Sequence, residues 1–269
     1  MESLVALGTG LAMVKECYNT CFLLKHDKEC LLVDAGGGNG ILRQLDKVGV
    51  GVDEIGHMIV THAHCDHILG AIWVIRNMGI LIHEQGHQGT FNIWCSEKLA
   101  QTIKTIANLT LKKTMTKLFD DKIIFNIVET GTQAEICGWK ITFFDIHSDT
   151  TEQYGFSMQL DSGEKLCFLG DEPFRAACAP FVKGSSWLLS EAFCLYEHRE
   201  YFKPYEKNHA TLKEACELAE QYSIPNLIVW HSEDENYSRR KELFSEESKK
   251  YYSGKLYVPY DLESIVLGK

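Results

Sequence analysis

The run His62-Ala63-His64-Cys65-Asp66-His67 sets three imidazoles and a carboxylate in one short loop, directly after the apolar stretch His57-Met58-Ile59-Val60-Thr61. Alternate residues of extended chain point to one side, so His62 and His64 project together. Asp66 and His67 follow at the turn into Ile68–Ile75, placed to face a second ion beside the first. Neutral imidazole and carboxylate suit zinc, iron or manganese, and two neighbouring ions suit hydrolysis. A two-metal site needs more donors than one loop supplies. Three other apolar runs end in them: Ile141–Ile146 leads to His147, Lys165–Gly170 to Asp171, and Leu227–Trp230 to His231. Singly, each is an ordinary polar strand end facing water. Together with the histidine run they describe ligands gathered at the edge of a sheet sandwich.

The elements that must carry these groups are short. Strand-like runs include Leu4–Leu7, Cys21–Leu24, Cys30–Val33, Met58–Thr61, Ile123–Val128, Trp139–Phe144, Gly155–Leu160, Lys165–Leu169, Trp187–Ser190 and Asn226–Trp230. Hairpin-like connectors at His26-Asp27-Lys28 and Asp161–Glu164 predict sheets that are antiparallel or mixed. Helices are expected over Ile41–Val48, Glu97–Leu118 and Leu212–Tyr222, the last opened by the capping box Thr211-Leu212-Lys213-Glu214. Five scattered prolines and no low-complexity tract predict one domain over residues 1–269.

Composition narrows the class. The 269 residues are 45% hydrophobic, enough for a large core. The opening Met1–Leu7 is too short and acidic for a signal peptide, and no apolar run reaches eighteen residues. Ten cysteines are scattered without a C-x-x-C pair, the usage of reduced thiols in a cytoplasmic protein. A net charge of −10 argues against a grip on long nucleic acid, which works through a basic face, and leaves a small phosphorylated substrate open.

Asp34 in Leu31-Leu32-Val33-Asp34-Ala35-Gly36-Gly37, the Thr61–His67 run, His147, Asp171 and His231 resemble, in order, the motifs of the metallo-β-lactamase superfamily. The resemblance spans residues 4 to 232 and implies an α/β fold, a four-layer αββα sandwich with two divalent ions at one edge, zinc first and manganese or iron as substitutes. It further implies that His62, His64 and His147 hold one ion, that Asp66, His67 and His231 hold the other, and that Asp171 bridges them. Asp34 would anchor the histidine loop by hydrogen bonds.

Two features narrow the branch. Asn208-His209-Ala210-Thr211 precedes the capped helix, and Ser190-Glu191-Ala192-Phe193 ends another strand. These resemble the paired histidine and glutamate of the tRNase Z-like phosphodiesterases, although the glutamate run keeps only the Glu-Ala of that branch's His-Glu-Ala-Thr. A histidine at a helix mouth, oriented by a carboxylate, is a sound general acid or phosphate clamp. In the tRNA-processing members a long arm lies between the equivalents of His147 and Asp171; here Asp161–Glu164 and its flanking strands fill that interval. The expectation is therefore an arm-less phosphodiesterase acting on a small cyclic or linear phosphodiester, long nucleic acid being disfavoured and a homodimer common in the branch. In its mechanism a metal-bridging hydroxide attacks phosphorus, Asp66 orients it, and His209, supported by Glu191, serves the leaving oxygen.

Rival readings are an acyl hydrolase for thioesters or lactones on the same metals, a tRNA 3′-processing endonuclease, an iron redox enzyme and a non-enzymatic metal-binding protein. His83-Glu84-Gln85-Gly86-His87 fits the H-E-x-x-H zinc-protease pattern, but after Gly79–Ile82 it reads as strand then loop, which cannot bring both histidines to one helix face. Phe91, Trp94 and Trp73 are expected in the core rather than in a pocket wall.

Overall fold

The computed structural model describes residues 1–268. One mixed sheet contains Glu2–Gly8 (β1), Cys21–His26 (β2), Glu29–Val33 (β3), Ile55–Ile59 (β4), Phe91–Cys95 (β5) and Ile123–Ile127 (β6). The other contains Gln133–Ile136 (β7), Trp139–Asp145 (β8), Tyr154–Gln159 (β9), Lys165–Phe168 (β10), Trp187–Glu191 (β11), Asn226–Trp230 (β12) and Lys255–Tyr257 (β13). Ser264–Val266 (β14) returns to pair antiparallel with β1 at the edge of the first sheet. The expected hairpins close β2 on β3 and β9 on β10, whereas β3 to β6 and β10 to β13 run parallel.

Alternation along the strands explains the layers. Leu4, Ala6, Phe22, Leu24, Leu31 and Val33 face the second sheet, which answers with Phe156, Phe168, Ile228 and Trp230. The intervening Val5, Leu7, Cys21, Leu23, Cys30 and Leu32 face the helices Gly40–Lys47 (α1), Cys65–Gln85 (α2) and Glu97–Thr110 (α3). Behind the second sheet Leu188, Leu227 and Val229 meet Leu212, Cys216 and Ala219. The last three lie on the capped helix Leu212–Gln221, labelled α7 after the one-turn helices Lys113–Thr116 (α4), Ala179–Val182 (α5) and Arg199–Phe202 (α6). Strands apolar on both faces and helices on both outer sides make the αββα sandwich.

Two expectations need correction. The helix expected over Glu97–Leu118 breaks after Thr110, where Leu111 turns extended and packs into the helix-side core; α4 follows as a separate turn. The hydroxyls of Thr102, Thr105 and Thr110 bond back to carbonyls one turn earlier, a habit that weakens helices. Gly79–Ile82 is helical rather than a strand, and His83–Gln85 continue the helix rather than a loop, because the buried positions Ile68, Ala71, Ile72, Ile75 and Met78 sustain one helical face. That helix closes at Gly86, so His83 and His87 still do not share a helical face.

Phe91 lies in the core and Trp94 is partly buried, but Trp73 is exposed on α2. All ten cysteines are free thiols, and only Cys65 is exposed. Among the described residues one helix, α2, is long and apolar enough to cross a membrane; it is mostly buried and opens on the histidine loop.

Candidate metal centre

The chemistry-bearing residues collect where the parallel strands of both sheets end, the place where open α/β sheets leave their crevice. Asp34 follows β3, the histidine loop follows β4, Asp171 follows β10, Glu191 ends β11 and His231 follows β12. The two sheets are laced together here. Tyr154 N donates to Thr61 O at 3.2 Å, and Ser232 N donates to Thr9 O at 3.2 Å.

Asp34 organises the loop. Its Oδ1 accepts Thr61 N at 2.8 Å, and its Oδ2 accepts both Thr61 Oγ1 and His67 Nδ1 at 2.8 Å. Pairing with β5 therefore ends after Val60, whose N–H still donates to Trp94 O at 3.0 Å, because the Thr61 amide and hydroxyl turn to the buried carboxylate instead. The chain then enters α2 with His64 as N-cap and Asp66 in the first turn, where the helix dipole favours a negative charge. Gly70 lets this helix approach: a Cβ there would sit 1.8 Å from Ala35 O, and its N–H donates to Gly36 O at 2.8 Å.

Proton counting fixes the imidazole tautomers. Thr61 gives its one hydroxyl proton to Asp34, so it accepts from His62 Nδ1 at 2.9 Å. Thr20 gives its proton to Gly10 O, so it accepts from His231 Nδ1 at 3.1 Å. His67 Nδ1 donates to a carboxylate. Each Nδ1 is thus occupied, so in the neutral ring the Nε2 lone pair is the one left to ligate. Those lone pairs converge on one oxygen: Asp171 Oδ2 lies 3.1 Å from His67 Nε2, 3.5 Å from His62 Nε2 and 3.6 Å from His231 Nε2.

A cation fits this donor set. The Nε2 atoms of His62 and His67 are buried without any hydrogen-bond partner, a costly state for polar atoms unless something binds them. Three overlapping clusters of donor atoms, each within 4.8 Å, lie here; the two that face Asp171 and His231 are His62–His64–Asp171 and Asp66–His67–His231, and the third, Asp34–His62–His67, includes the buried anchor of the loop. Burial lowers the pKa of His62 to about 4 and of His231 to about 3, keeping both rings neutral and able to ligate. For His67 burial works against the charge, but the Asp34 and Asp171 carboxylates prevail and raise its pKa. Burial also resists ionisation of Asp66 and Asp171, yet the facing imidazoles hold both well below the usual carboxylate range.

His147 stands apart. Its side chain is 52% exposed, its Nδ1 is 3.8 Å from Asp145, and it joins none of these donor clusters. The loop beyond it is tied to Glu172, whose Oε1 accepts from Ser148 and Thr150 at 2.7 Å. His83 and His87 belong to no donor cluster among the described residues.

Glu191 and His209 meet beside the cluster. His209 Nδ1 lies 2.7 Å from Glu191 Oε2 and 2.9 Å from the Asp171 carbonyl. A carbonyl only accepts, so Nδ1 carries the hydrogen and Glu191 receives it, while Ala210 N donates to the other Glu191 oxygen at 2.8 Å. Burial opposes charge on His209, and the Glu191 carboxylate outweighs it, raising the imidazole pKa. Phe193 stacks on the ring at 4.8 Å, and the His231 ring is 5.2 Å away. Sequence reasoning did not find Thr20, Thr61 or Gln153 as supports, since no local pattern marks which hydroxyl or amide will face a ligand.

The profile of the anti-Pycsar protein Apyc1 family matches residues 2–247. The chain belongs to that family. A ribonuclease Z from Thermococcus sibiricus is 24% identical, over 100% of this chain and 97% of that protein. Among solved structures, the metallo-β-lactamase fold protein YhfI from Bacillus subtilis superposes with a TM-score of 0.77 at 16% identity, over 98% of both chains. The short form of human tRNase Z gives 0.74 at 18% identity, over 98% of this chain and 99% of that one. The fold is the metallo-β-lactamase sandwich, and the protein is a metal-dependent hydrolase of the tRNase Z-like branch.

Proposed function

We propose that this protein is a dinuclear phosphodiesterase acting on a small phosphodiester, with zinc as the first candidate for both ions. His62, His64 and Asp171 would hold one ion, joined by His147, and Asp66, His67 and His231 the other, with Asp171 shared between them. When bound, a pair of divalent ions supplies an activated water and neutralises charge at phosphorus. Asp66, held at the opening of α2, would orient a water in the site and accept a proton from it. His209 presents a ring whose Nδ1 is fixed by Glu191 and the Asp171 carbonyl, leaving Nε2 to carry positive charge or a proton toward the substrate.

The observation that carries the reading is this His209–Glu191 pair. A fixed imidazole whose pKa is raised, beside the ligand candidate His231, suits a phosphodiester anion and its leaving oxygen; a neutral thioester or lactone brings no ground-state anion to it. The short Asp161–Glu164 turn and the net charge of −10 favour a small substrate. The full-length likeness to a ribonuclease Z favours a second reading, an RNA 3′-end endonuclease, and sets the other arm of the test. The cysteine usage suits a cytoplasmic setting.

The test is turnover of a chromogenic phosphodiester by protein loaded separately with zinc and manganese. A thioester, a lactone and a 3′-extended tRNA precursor are assayed beside it. Diester turnover that collapses in His209→Ala supports the proposal. Acyl turnover alone would overturn it, and precursor cleavage far above small-diester turnover would select the second reading.

A further inference from the structure

We infer that Gln153 is a positioning residue that assigns one oxygen of Asp171 to the metal centre. The inference rests on the metal-site reading above. Gln153 is 1% exposed, and its side-chain amide donates to Asp171 Oδ1, leaving Oδ2 as the oxygen that faces His62, His67 and His231. An ionised carboxylate only accepts, so the amide nitrogen must be the partner. With Oδ1 anchored, rotation of the carboxylate is blocked and a single oxygen serves both groups of ligands.

Its surroundings are built around this contact. Gly170, immediately before Asp171, has φ of +78°, and a Cβ there would lie 2.8 Å from Gln153 Nε2, so the glycine makes room for the amide. The backbone of the same short segment reaches two other ligand-bearing strands. Gln153 O accepts Ile146 N at 3.0 Å, next to His147, and Tyr154 N donates to Thr61 O, next to His62. One dipeptide therefore joins the ends of β4, β8 and β10, which lie in different sheets. The spacing of His147 and His62 is set here by backbone bonds, and Asp171 is reached by the Gln153 side chain.

That separation makes the inference testable. Gln153→Met keeps the length and loses the donor; Gln153→Glu keeps the shape and replaces the donor by a carboxylate facing Asp171. Zinc affinity is measured by competition with a chromogenic chelator, zinc content by mass spectrometry, and apo-protein Tm alongside. Loss of such an outer contact lowers metal affinity ~10–100-fold, and that is expected for Gln153→Met, with a larger loss for Gln153→Glu. The backbone bonds persist, so the apo protein should keep its fold in both. Wild-type zinc affinity in either folded variant would overturn the assignment. A lowered apo Tm with unchanged zinc competition would make Gln153 a packing residue and overturn it equally. If wild-type protein itself takes up no metal, the reading beneath the inference fails first, and the zinc content of wild type shows which has failed.

Discussion

Replacing Asp34 by asparagine changes one oxygen to an amino group and almost nothing in shape. Asparagine also tolerates the left-handed backbone that Asp34 adopts, φ of +54°, so the substitution isolates hydrogen bonding from strain. Three donors converge on the native carboxylate: Thr61 N, Thr61 Oγ1 and His67 Nδ1. An amide can satisfy one side only. With its nitrogen toward Thr61 N, two N–H groups collide and a buried backbone donor is left unpaired. With its nitrogen toward His67, the imidazole must present Nδ1 as an acceptor and move its hydrogen to Nε2, which then cannot ligate. The first arrangement costs about 1–3 kcal/mol, the usual penalty for an unsatisfied buried donor. The second costs ~10–100-fold in metal affinity, about 1.4–2.8 kcal/mol, the usual effect of losing an orienting partner. Urea denaturation of the apo protein and zinc competition measure the two separately. Asp34→Asn should lose at least ~1 kcal/mol in their sum. Stability within ~0.3 kcal/mol of wild type together with unchanged zinc affinity would refute the proton counting on which the centre is built.

Three further outcomes follow from the same geometry. His209→Ala should lower diester turnover ~10²–10⁴-fold, the range for a positioned acid or charge, while metal content stays at the wild-type value; an unchanged rate removes His209 from the chemistry. Gly70→Ala places a Cβ 1.8 Å from the Ala35 carbonyl, and backbone cannot give way as a side chain would, so a loss of ~3 kcal/mol in urea denaturation is expected; wild-type stability would mean that α2 does not pack as described. His26 sits between two acceptors, the Cys137 carbonyl at 2.8 Å and Asp161 at 2.9 Å, and the carbonyl contact, then Asp161, raise its pKa against partial burial. A raised folded-state pKa means its contribution is complete below the ordinary imidazole value of ~6.5 and fades as pH climbs through the higher folded value. Asp161 is largely exposed, so the gap between wild type and His26→Gln should be ~0.5–1 kcal/mol at about pH 5.5 and close at about pH 9; a gap that grows with pH would reverse the assignment.

How much of this was legible beforehand depends on whether a residue's role is local. The strands were, because strands buried on both faces read as continuous apolar runs, as in Leu4–Leu7 and Leu227–Trp230, while the αββα order came from the resemblance of the motifs. The capping box at Thr211 was, because both of its partners lie within one helical turn. Local pattern misled where tertiary packing decided, as when Leu111 left its helix for the core and Gly79–His83 stayed in one. The supports of the centre were beyond reach for a different reason. Gln153 and Thr20 serve residues far away in the chain, Asp171 and His231, and an ordinary glutamine or threonine carries no sign of that.

Three residues at strand ends share a further property that sequence does not reveal. Asp34, His147 and His231 all have positive φ, at +54°, +60° and +54°. For a residue with a Cβ that conformation costs ~1–2 kcal/mol, least for small polar side chains, and it persists only where the surroundings impose it. At Asp34 the imposing contacts are the Thr61 and His67 bonds, and at His231 the Thr20 hydroxyl and the Ser232–Thr9 backbone bond. Both side chains are buried and turned to the cluster. His147 has only its own backbone bond to Asp145 at 2.7 Å, and its ring stands half in solvent outside the donor clusters. The sharp turn at the end of a strand is thus shared by all three, while the side chain is committed only where a second buried partner holds it. Proton-fixed imidazoles and anchored carboxylates form most of the candidate centre in advance; exposed His64 and His147 are the ligand candidates that no side-chain hydrogen bond among the described residues holds.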